Sequence, residues 1–117
     1  MKKPATGAGL GFRRELLPEL KSQQLSGIDF FEIAPENWAL SGGAHAKNLR
    51  QFTEKFPFVA HGLSLSIGSA DGLDTALVKS IKSFMQVHGI ALYTEHLSWC
   101  SHQGHLYDLL PIPCTQE

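Results

Sequence analysis

Short apolar runs alternate along the chain with segments in which apolar residues recur every three or four positions. The apolar runs predict four β-strands, at residues 7–12, 28–34, 58–61 and 90–94. The periodic segments predict three helices, at residues 14–25, at residues 44–55 and in a segment that ends at His88. From Glu95 to the C-terminus the pattern predicts a long loop.

Proline, aspartate and glycine residues mark the expected ends of these helices. Pro18 fits only the first turn of the first helix, where a missing N–H costs little, and Gly27 is expected to end that helix. Asp71 or Asp74 can cap the third helix, and Gly89 suits the left-handed position after it.

The predicted order βαβαβαβ indicates an α/β fold with a parallel sheet and helices outside it. A doubly wound sheet would carry a phosphate-binding glycine motif, but Phe12 and the residues after it interrupt the pattern begun by Gly7, Gly9 and Gly11. The (β/α)8 TIM barrel is the other architecture, and it typically needs about 250 residues. We therefore expect residues 1–117 to be one domain, the N-terminal half of a barrel, covering about four strands and three helices and apparently truncated.

Composition and charge exclude several classes of function. Hydrophobic residues make up 43% of the chain, and ten Lys and Arg against eleven Asp and Glu leave a net charge of -1. We therefore expect neither nucleic acid nor an anionic membrane as a partner. No apolar run approaches a membrane span, and no apolar segment follows the basic start as in a signal peptide. A cytoplasmic protein is expected.

Polar side chains that can bind metals or transfer protons follow the predicted strands. Active sites of α/β folds lie at the carboxyl ends of parallel strands, so these residues are expected at one rim. They are Arg13, Arg14, Glu32, Glu36, Asn37, His61, Glu95, His96, His102, His105 and Asp108. Every Lys and Arg lies at or before Lys82, whereas the last 35 residues hold four of the six histidines.

His61 and His96 each come at the end of a predicted strand. Neighbouring parallel strands lie about 4.8 Å apart, a spacing that allows two imidazoles to share one metal ion. Two histidines and a carboxylate are the arrangement of non-heme iron sites, and either Glu36 or Glu95 could supply the carboxylate. Glu95 precedes His96 directly, so it is expected to face the opposite side of the strand. The simpler interpretation of His61 on its own is a hydrogen-bonded packing residue.

Other residues have plainer interpretations. His102 and His105 are expected to be solvated loop residues, and Cys100 and Cys114 to be structural. Trp38 and Trp99 are expected to pack near the rim, although stacking on a substrate is an alternative. The chain contains no P-loop, no H-E-x-x-H motif and no recognisable serine-nucleophile motif.

Five ordered motifs resemble one enzyme family, and together they extend over nearly the whole chain. They lie at residues 9–13 (GLGFR), 29–38 (DFFEIAPENW), 61–68 (HGLSLSIG), 95–99 (EHLSW) and 108–113 (DLLPIP). The chain thereby resembles the multinuclear non-heme iron-dependent oxygenases, the family that includes the methanobactin biosynthesis oxygenase. Many members were long known only as uncharacterised proteins.

This resemblance implies a (β/α)8 barrel that binds two or three iron ions at its mouth. It implies O2 as co-substrate, a ribosomally made precursor peptide modified often at cysteine, and a small partner protein that recognises the leader. The first two histidine ligands of the family fall on His61 and His96. Glu36, Asn37, Glu95, His105 and Asp108 are candidate pocket or supporting residues. The remaining ligands come from later strands, so this chain alone is expected to be inactive.

Two further hypotheses compete with this one. The chain could belong to another metal-dependent barrel, such as an isomerase resembling xylose isomerase or an endonuclease-like enzyme. It could also be a non-catalytic α/β fragment that self-associates through open barrel edges, in which case its stability would depend on concentration.

Overall fold

The computed structural model describes residues 4–116, so residues 1–3, the predicted basic start, and residue 117 lie outside the described range. Six strands and three α-helices form in this range. They are β1 Gly9–Gly11, α1 Leu17–Ser22, β2 Phe30–Ile33, α2 Gly43–Thr53, β3 Phe58–His61, α3 Thr75–His88, β4 Leu92–Thr94, β5 Ser98–His102 and β6 His105–Pro111. Short 3-10 turns at Arg14–Leu16 and Pro35–Asn37 follow the first two strands.

The first four strands form one parallel sheet in the order β1-β2-β3-β4. A helix connects each strand to the next, as parallel neighbours require. The predicted βαβαβαβ order is therefore confirmed, and the arrangement is that of a partial (β/α)8 barrel. The strands are shorter than predicted at residues 7–12, 28–34 and 90–94, whereas β3 has the predicted bounds.

The two faces of the sheet differ in composition because successive residues of a strand point to opposite sides. The outer face, which packs against the helices, carries Phe31 and Ile33 of β2 and Ala60 of β3, all at most 1% exposed. Glu32 of β2 pairs with Val59 of β3 and points to the inner face, where it is exposed. His61 is two residues beyond Val59, so it also points inward.

Phe12, directly after β1, is the centre of the hydrophobic core. Its ring lies 5.1 to 5.4 Å from four other aromatic rings. They are Phe31, Trp38, Phe52 and Phe58. Each such pair contributes on the order of 0.5–1.5 kcal/mol beyond simple burial. Trp38 is therefore a packing residue, as expected, and the core ties β1 to β2, β3 and α2.

The first helix is shorter than predicted. It ends at Ser22, and Gln23 is extended with φ -109° and ψ 154°. Pro18 lies in the first turn as predicted, but Gly27, at φ 86°, belongs to a turn beyond the helix. The third helix follows the prediction more closely: the Asp74 side chain accepts a hydrogen bond from the Leu77 N–H at 3.0 Å, and Gly89 adopts the left-handed conformation.

The predicted loop after Glu95 is wrong, because β5 and β6 form an antiparallel hairpin there. Gln103 and Gly104 connect the strands with φ angles of 48° and 79°, and two left-handed residues are what a tight hairpin turn requires. Most of β6 is exposed, so it lacks the buried alternation by which strands are recognised in a sequence. His102 and His105 are cross-strand partners rather than loop residues.

Ser66, in the loop between β3 and α3, holds this hairpin in place. It is buried and has φ 54°, and its hydroxyl accepts hydrogen bonds from the Cys100 and Ser101 N–H groups at 2.8 and 3.2 Å. The Gly68 N–H also donates to the Ser98 carbonyl at 2.9 Å. Cys100 is buried against this loop, and both cysteines are free thiols.

Among the helices that residues 4–116 form, none has the length and apolar character that a membrane span requires.

We expect the open inner face to promote self-association. Leu92 is 52% exposed and lies on β4, the last strand of the sheet. The edge of β4 that faces away from β3 has no partner strand among residues 4–116. Exposed apolar surface beside an unpaired strand edge favours contact with another copy. Sedimentation across a dilution series should show a mass that rises with concentration, and Leu92→Ser should reduce this rise. Leu40→Ser, at a 94% exposed leucine outside the sheet, is the control and should change nothing. A mass independent of concentration would contradict the prediction.

Candidate metal centre

The ends of β3 and β4 bring two imidazoles together. His61 is the last residue of β3, and its backbone pairs with Thr94, the last residue of β4. His96 follows two residues later. The two Nε2 atoms are 3.4 Å apart and the ring centroids 4.5 Å apart. The carboxyl edge of the sheet thus presents two nitrogen ligands at one point.

The other ring nitrogen of each histidine has a hydrogen-bond partner that orients the ring. His96 Nδ1 lies 3.2 Å from the Gly62 carbonyl oxygen, which can only accept, so Nδ1 carries the proton and Nε2 of the neutral ring carries a lone pair. His61 Nδ1 lies 2.8 Å from the Thr94 hydroxyl oxygen, which can accept in the same way. When the hydroxyl accepts, both Nδ1 atoms are protonated and two Nε2 lone pairs face each other; when it donates, His61 Nε2 carries the proton and donates to His96 Nε2.

Two facing lone pairs repel unless a cation lies between them. Two imidazole nitrogens that share a metal ion, each about 2.1 Å from it, are separated by roughly 3.0 to 3.4 Å at ordinary ligand angles. The separation of 3.4 Å between His61 Nε2 and His96 Nε2 fits that requirement. Hydrogen bonding of the second ring nitrogen to a carbonyl or hydroxyl is also typical of metal-binding histidines. The donor set and its geometry therefore fit a metal ion.

Glu95 supports His96 from the other side. Its side chain is 6% exposed and accepts hydrogen bonds from the Tyr93 hydroxyl at 2.5 Å and from the His96 N–H at 2.9 Å. Its approach to the His96 ring, at 3.6 Å, is to Nδ1 and not to Nε2. Gly62 passes so close that a Cβ there would collide with both Glu95 and Tyr93. In this arrangement Glu95 positions the loop around His96.

Glu36 organises the loop that follows His61. Its Oε1 atom accepts hydrogen bonds from the Leu63 N–H at 2.7 Å and the Ser64 N–H at 3.1 Å. Its Oε2 atom is buried without a hydrogen-bond partner among the described residues. Asn37 is exposed, and its carbonyl accepts a hydrogen bond from the Arg14 guanidinium at 2.5 Å. Both residues thus lie near the rim, where they stabilise loops.

The remaining candidates lie elsewhere. His102 faces Asp71, with Nδ1 3.4 Å from a carboxylate oxygen, and His105 and Asp108 are exposed on β6. Within residues 4–116, no group of three or more His, Cys, Asp or Glu side chains is placed to hold a metal ion. The described part of the chain therefore supplies the two imidazoles alone, without a converging carboxylate.

An open cleft of about 580 Å³ lies beside His61. Arg13, Glu32, Ala34, Asn37 and Leu63 are among its lining residues. The cleft extends from Glu32 on the inner face of the sheet to His61 at the end of β3, so a molecule bound in it would lie against His61.

Thr94, Gly62 and Tyr93 contribute to this site but were not predicted from the sequence. Thr94 could have been found from strand register, because it is the residue paired with His61. The role of Gly62 depends on its close approach to Glu95 and Tyr93 across the strand ends, which no local pattern reveals, whereas the hydrogen bond from Tyr93 to Glu95 joins residues two positions apart.

Four parallel strands with helices on their outer face, and a pair of histidines at two neighbouring strand ends, define part of a (β/α)8 barrel with two imidazoles at its mouth. A sequence profile of the family described as "RiPP precursor modification enzyme MbnB/TglH/ChrH" matches residues 7–117, and the chain belongs to this family. RiPPs are ribosomally made, post-translationally modified peptides. Membership confirms the resemblance found in the five motifs and favours it over the isomerase-like and endonuclease-like alternatives.

Several bacterial proteins named UPF0276 are similar to this chain. The relative from Nitrosospira multiformis is 62% identical over 109 residues, which are 93% of this chain and 38% of the relative. The relative from Alcanivorax borkumensis is 55% identical over 97% of this chain and 40% of the relative. A relative from Pseudomonas aeruginosa is 48% identical over 96% of this chain and 39% of the relative. The chain thus spans about two fifths of the length of these relatives.

We expect Tyr93 to make the protein less stable in alkaline solution. Burial raises the pKa of its phenol above the usual value, and the hydrogen bond to Glu95 and the charges of Glu95 and Glu36 raise it further. The unfolded chain therefore releases this proton near pH 10 while the folded chain keeps it, so the free energy of unfolding falls as the pH rises above about 10.

Urea denaturation at pH 8 and pH 11 measures this effect. The decrease in unfolding free energy should be smaller in Tyr93→Phe than in the unmutated protein, because the variant has no phenol at this position. Equal decreases in the two proteins would show that Tyr93 ionises alike in both states.

Proposed function

We propose that this chain contributes two ligands, His61 and His96, to the iron centre of an O2-dependent oxygenase that modifies ribosomally made precursor peptides. The observation that carries this proposal is the approach of the two Nε2 atoms to 3.4 Å, with each Nδ1 anchored by a hydrogen bond. Membership in a family of precursor-peptide modification enzymes supports the substrate class.

Iron bound there would bind and activate O2, the chemistry that imidazole-ligated open iron sites support. His61 and His96 would hold the ion. The Thr94 hydroxyl would orient the His61 ring, and the Gly62 carbonyl the His96 ring, so that both Nε2 atoms face the ion. The cleft beside His61 would admit the peptide segment to be modified, often at a cysteine, while Glu36 and Glu95 keep the surrounding loops in place.

Two imidazoles are too few to hold a multinuclear iron centre. We propose that the other ligands, including the carboxylate, belong to the part of the relatives' length that this chain does not span. The 117-residue chain alone should then bind iron weakly and show no oxygenase turnover. The proposal also includes a small partner protein that recognises the leader segment of the precursor peptide. It places the reaction in the cytoplasm.

The first test is iron binding by the chain and its histidine variants. Isothermal titration calorimetry with Fe(II) under anaerobic conditions should show that the unmutated chain binds iron and that His61→Ala and His96→Ala do not. His45→Ala is the matched control, because His45 is exposed on α2, and it should bind iron like the unmutated chain. Equal binding in all four proteins, or none in the unmutated chain, would contradict a site formed by this pair.

A second prediction concerns the residue that orients His61. Thr94→Val removes the hydroxyl at nearly constant volume, so we expect iron affinity to fall by about 10- to 100-fold, the usual effect of removing such a hydrogen bond. Thr94→Ser retains the hydroxyl and should restore most of the affinity. If Thr94→Val binds iron as tightly as the unmutated chain, the hydrogen bond does not orient the ligand.

A further inference from the structure

The residues at the mouth of the sheet form a row across all four strands. His61 pairs with Thr94, and the registers of β1, β2 and β3 continue this row to Ala34 and Arg13. Arg13 and Ala34 both have extended backbones, so each keeps the alternation of its strand and faces inward with His61. The row therefore runs Arg13, Ala34, His61, Thr94.

Small residues leave space in this row and beneath it. Arg13 and His61 are two strands apart, roughly 10 Å between backbones, and the residue between them in the row is Ala34, whose side chain is a single methyl group. On the inner face of β1, Gly11 carries no side chain, whereas Gly9 is covered by the Phe30 ring, with which a Cβ there would collide. A Cβ on Gly11 would lie 3.8 Å from Arg13 Nε, which places the Arg13 side chain directly over that glycine. Arg13 and His61 line the same cleft.

The two consecutive arginines have different environments. Arg14 has its guanidinium 5.0 Å from the Trp38 ring centre and donates to the Asn37 carbonyl and the Ser41 hydroxyl. Arg13 is exposed and makes no ion pair or hydrogen bond through its side chain with any residue that the structure describes. Arg14 is thus engaged within the fold, whereas the guanidinium of Arg13 is available to a ligand.

We propose that Arg13 binds a carboxylate of the peptide substrate in the space over Ala34. A guanidinium binds a carboxylate through two parallel hydrogen bonds, which fixes orientation as well as position. A carboxylate held there would place the neighbouring part of the peptide beside His61. That the ligand is a peptide rests on the proposed function, but the binding of a carboxylate by Arg13 does not require a metal.

The test uses metal-free protein in the presence of a chelator and three probes. N-acetyl-alanine carries an α-carboxylate, N-acetyl-glutamate α-amide a side-chain carboxylate, and N-acetyl-alaninamide no charge. Titrations followed by amide chemical shifts should show millimolar binding of at least one carboxylate probe and none of the neutral amide. Preference for the first probe would assign a C-terminal carboxylate, and preference for the second an internal acidic residue.

Arg13→Gln should weaken carboxylate binding by about tenfold, and Arg13→Lys should give an intermediate loss because it retains charge without the planar fork. Arg50→Gln is the control, since Arg50 is an exposed arginine of α2 beside Glu54, and it should bind normally. Circular dichroism confirms that each variant is folded.

Equal affinity in Arg13→Gln and the unmutated chain, or equal binding of the neutral amide, would overturn the proposal. Iron binding by the histidine variants is measured in a separate experiment, so the two proposals are tested independently. Arg13 can bind a carboxylate when the histidine pair binds no iron, and the histidine pair can bind iron when Arg13 binds no carboxylate.

Discussion

The register between β3 and β4 is the constraint on which the candidate metal centre depends. Pairing of His61 with Thr94 places the Thr94 hydroxyl 2.8 Å from His61 Nδ1 and brings His96 over the same strand end. A shift of one residue would turn His61 to the outer face, where the helices pack. The hydrophobic outer face opposes such a shift, because Phe31, Phe58 and Ala60 must all remain buried. Core packing thus maintains the geometry of the site.

The loop from Gly62 to Asp71 links the site to the rest of the chain. Glu36 holds its start through the Leu63 and Ser64 N–H groups, and Ser66 binds the hairpin backbone further along. The Gly62 carbonyl meets the His96 ring at the beginning of this loop. One loop therefore links β2, β3 and the hairpin to the orientation of the His96 ring. Disturbing Glu36 or Ser66 should consequently affect His96 through the backbone between them.

Family membership gives these contacts a chemical context. The relatives are about two and a half times as long as this chain, and enzymes of this family modify precursor peptides. The inner face of the sheet is open, and its cleft passes Arg13 and Glu32 before it reaches His61. Substrate recognition and metal binding would then share a single row of strand-end residues. Such sharing is expected in a barrel, where every strand contributes its last residues to one mouth.

Sequence periodicity alone determined the βαβαβαβ order, the exact bounds of β3 and the position of His61 and His96 at strand ends, because these features depend on local patterns of polarity. It narrowed the cap of the third helix to Asp71 or Asp74, and the structure has Asp74 there. It failed for the hairpin, since β6 is mostly exposed and lacks a buried alternation. Only the tertiary structure decided that Glu36 and Glu95 hold loops, that Tyr93 and Gly62 support His96, and that His105 and Asp108 lie on the hairpin. Glu36 and Gly62 act through hydrogen bonds to residues distant in sequence, which the packing of the sheet brings together. The Glu95 bonds to Tyr93 and to the His96 N–H join near neighbours, but they depend on side-chain orientations that a pattern of polarity does not specify.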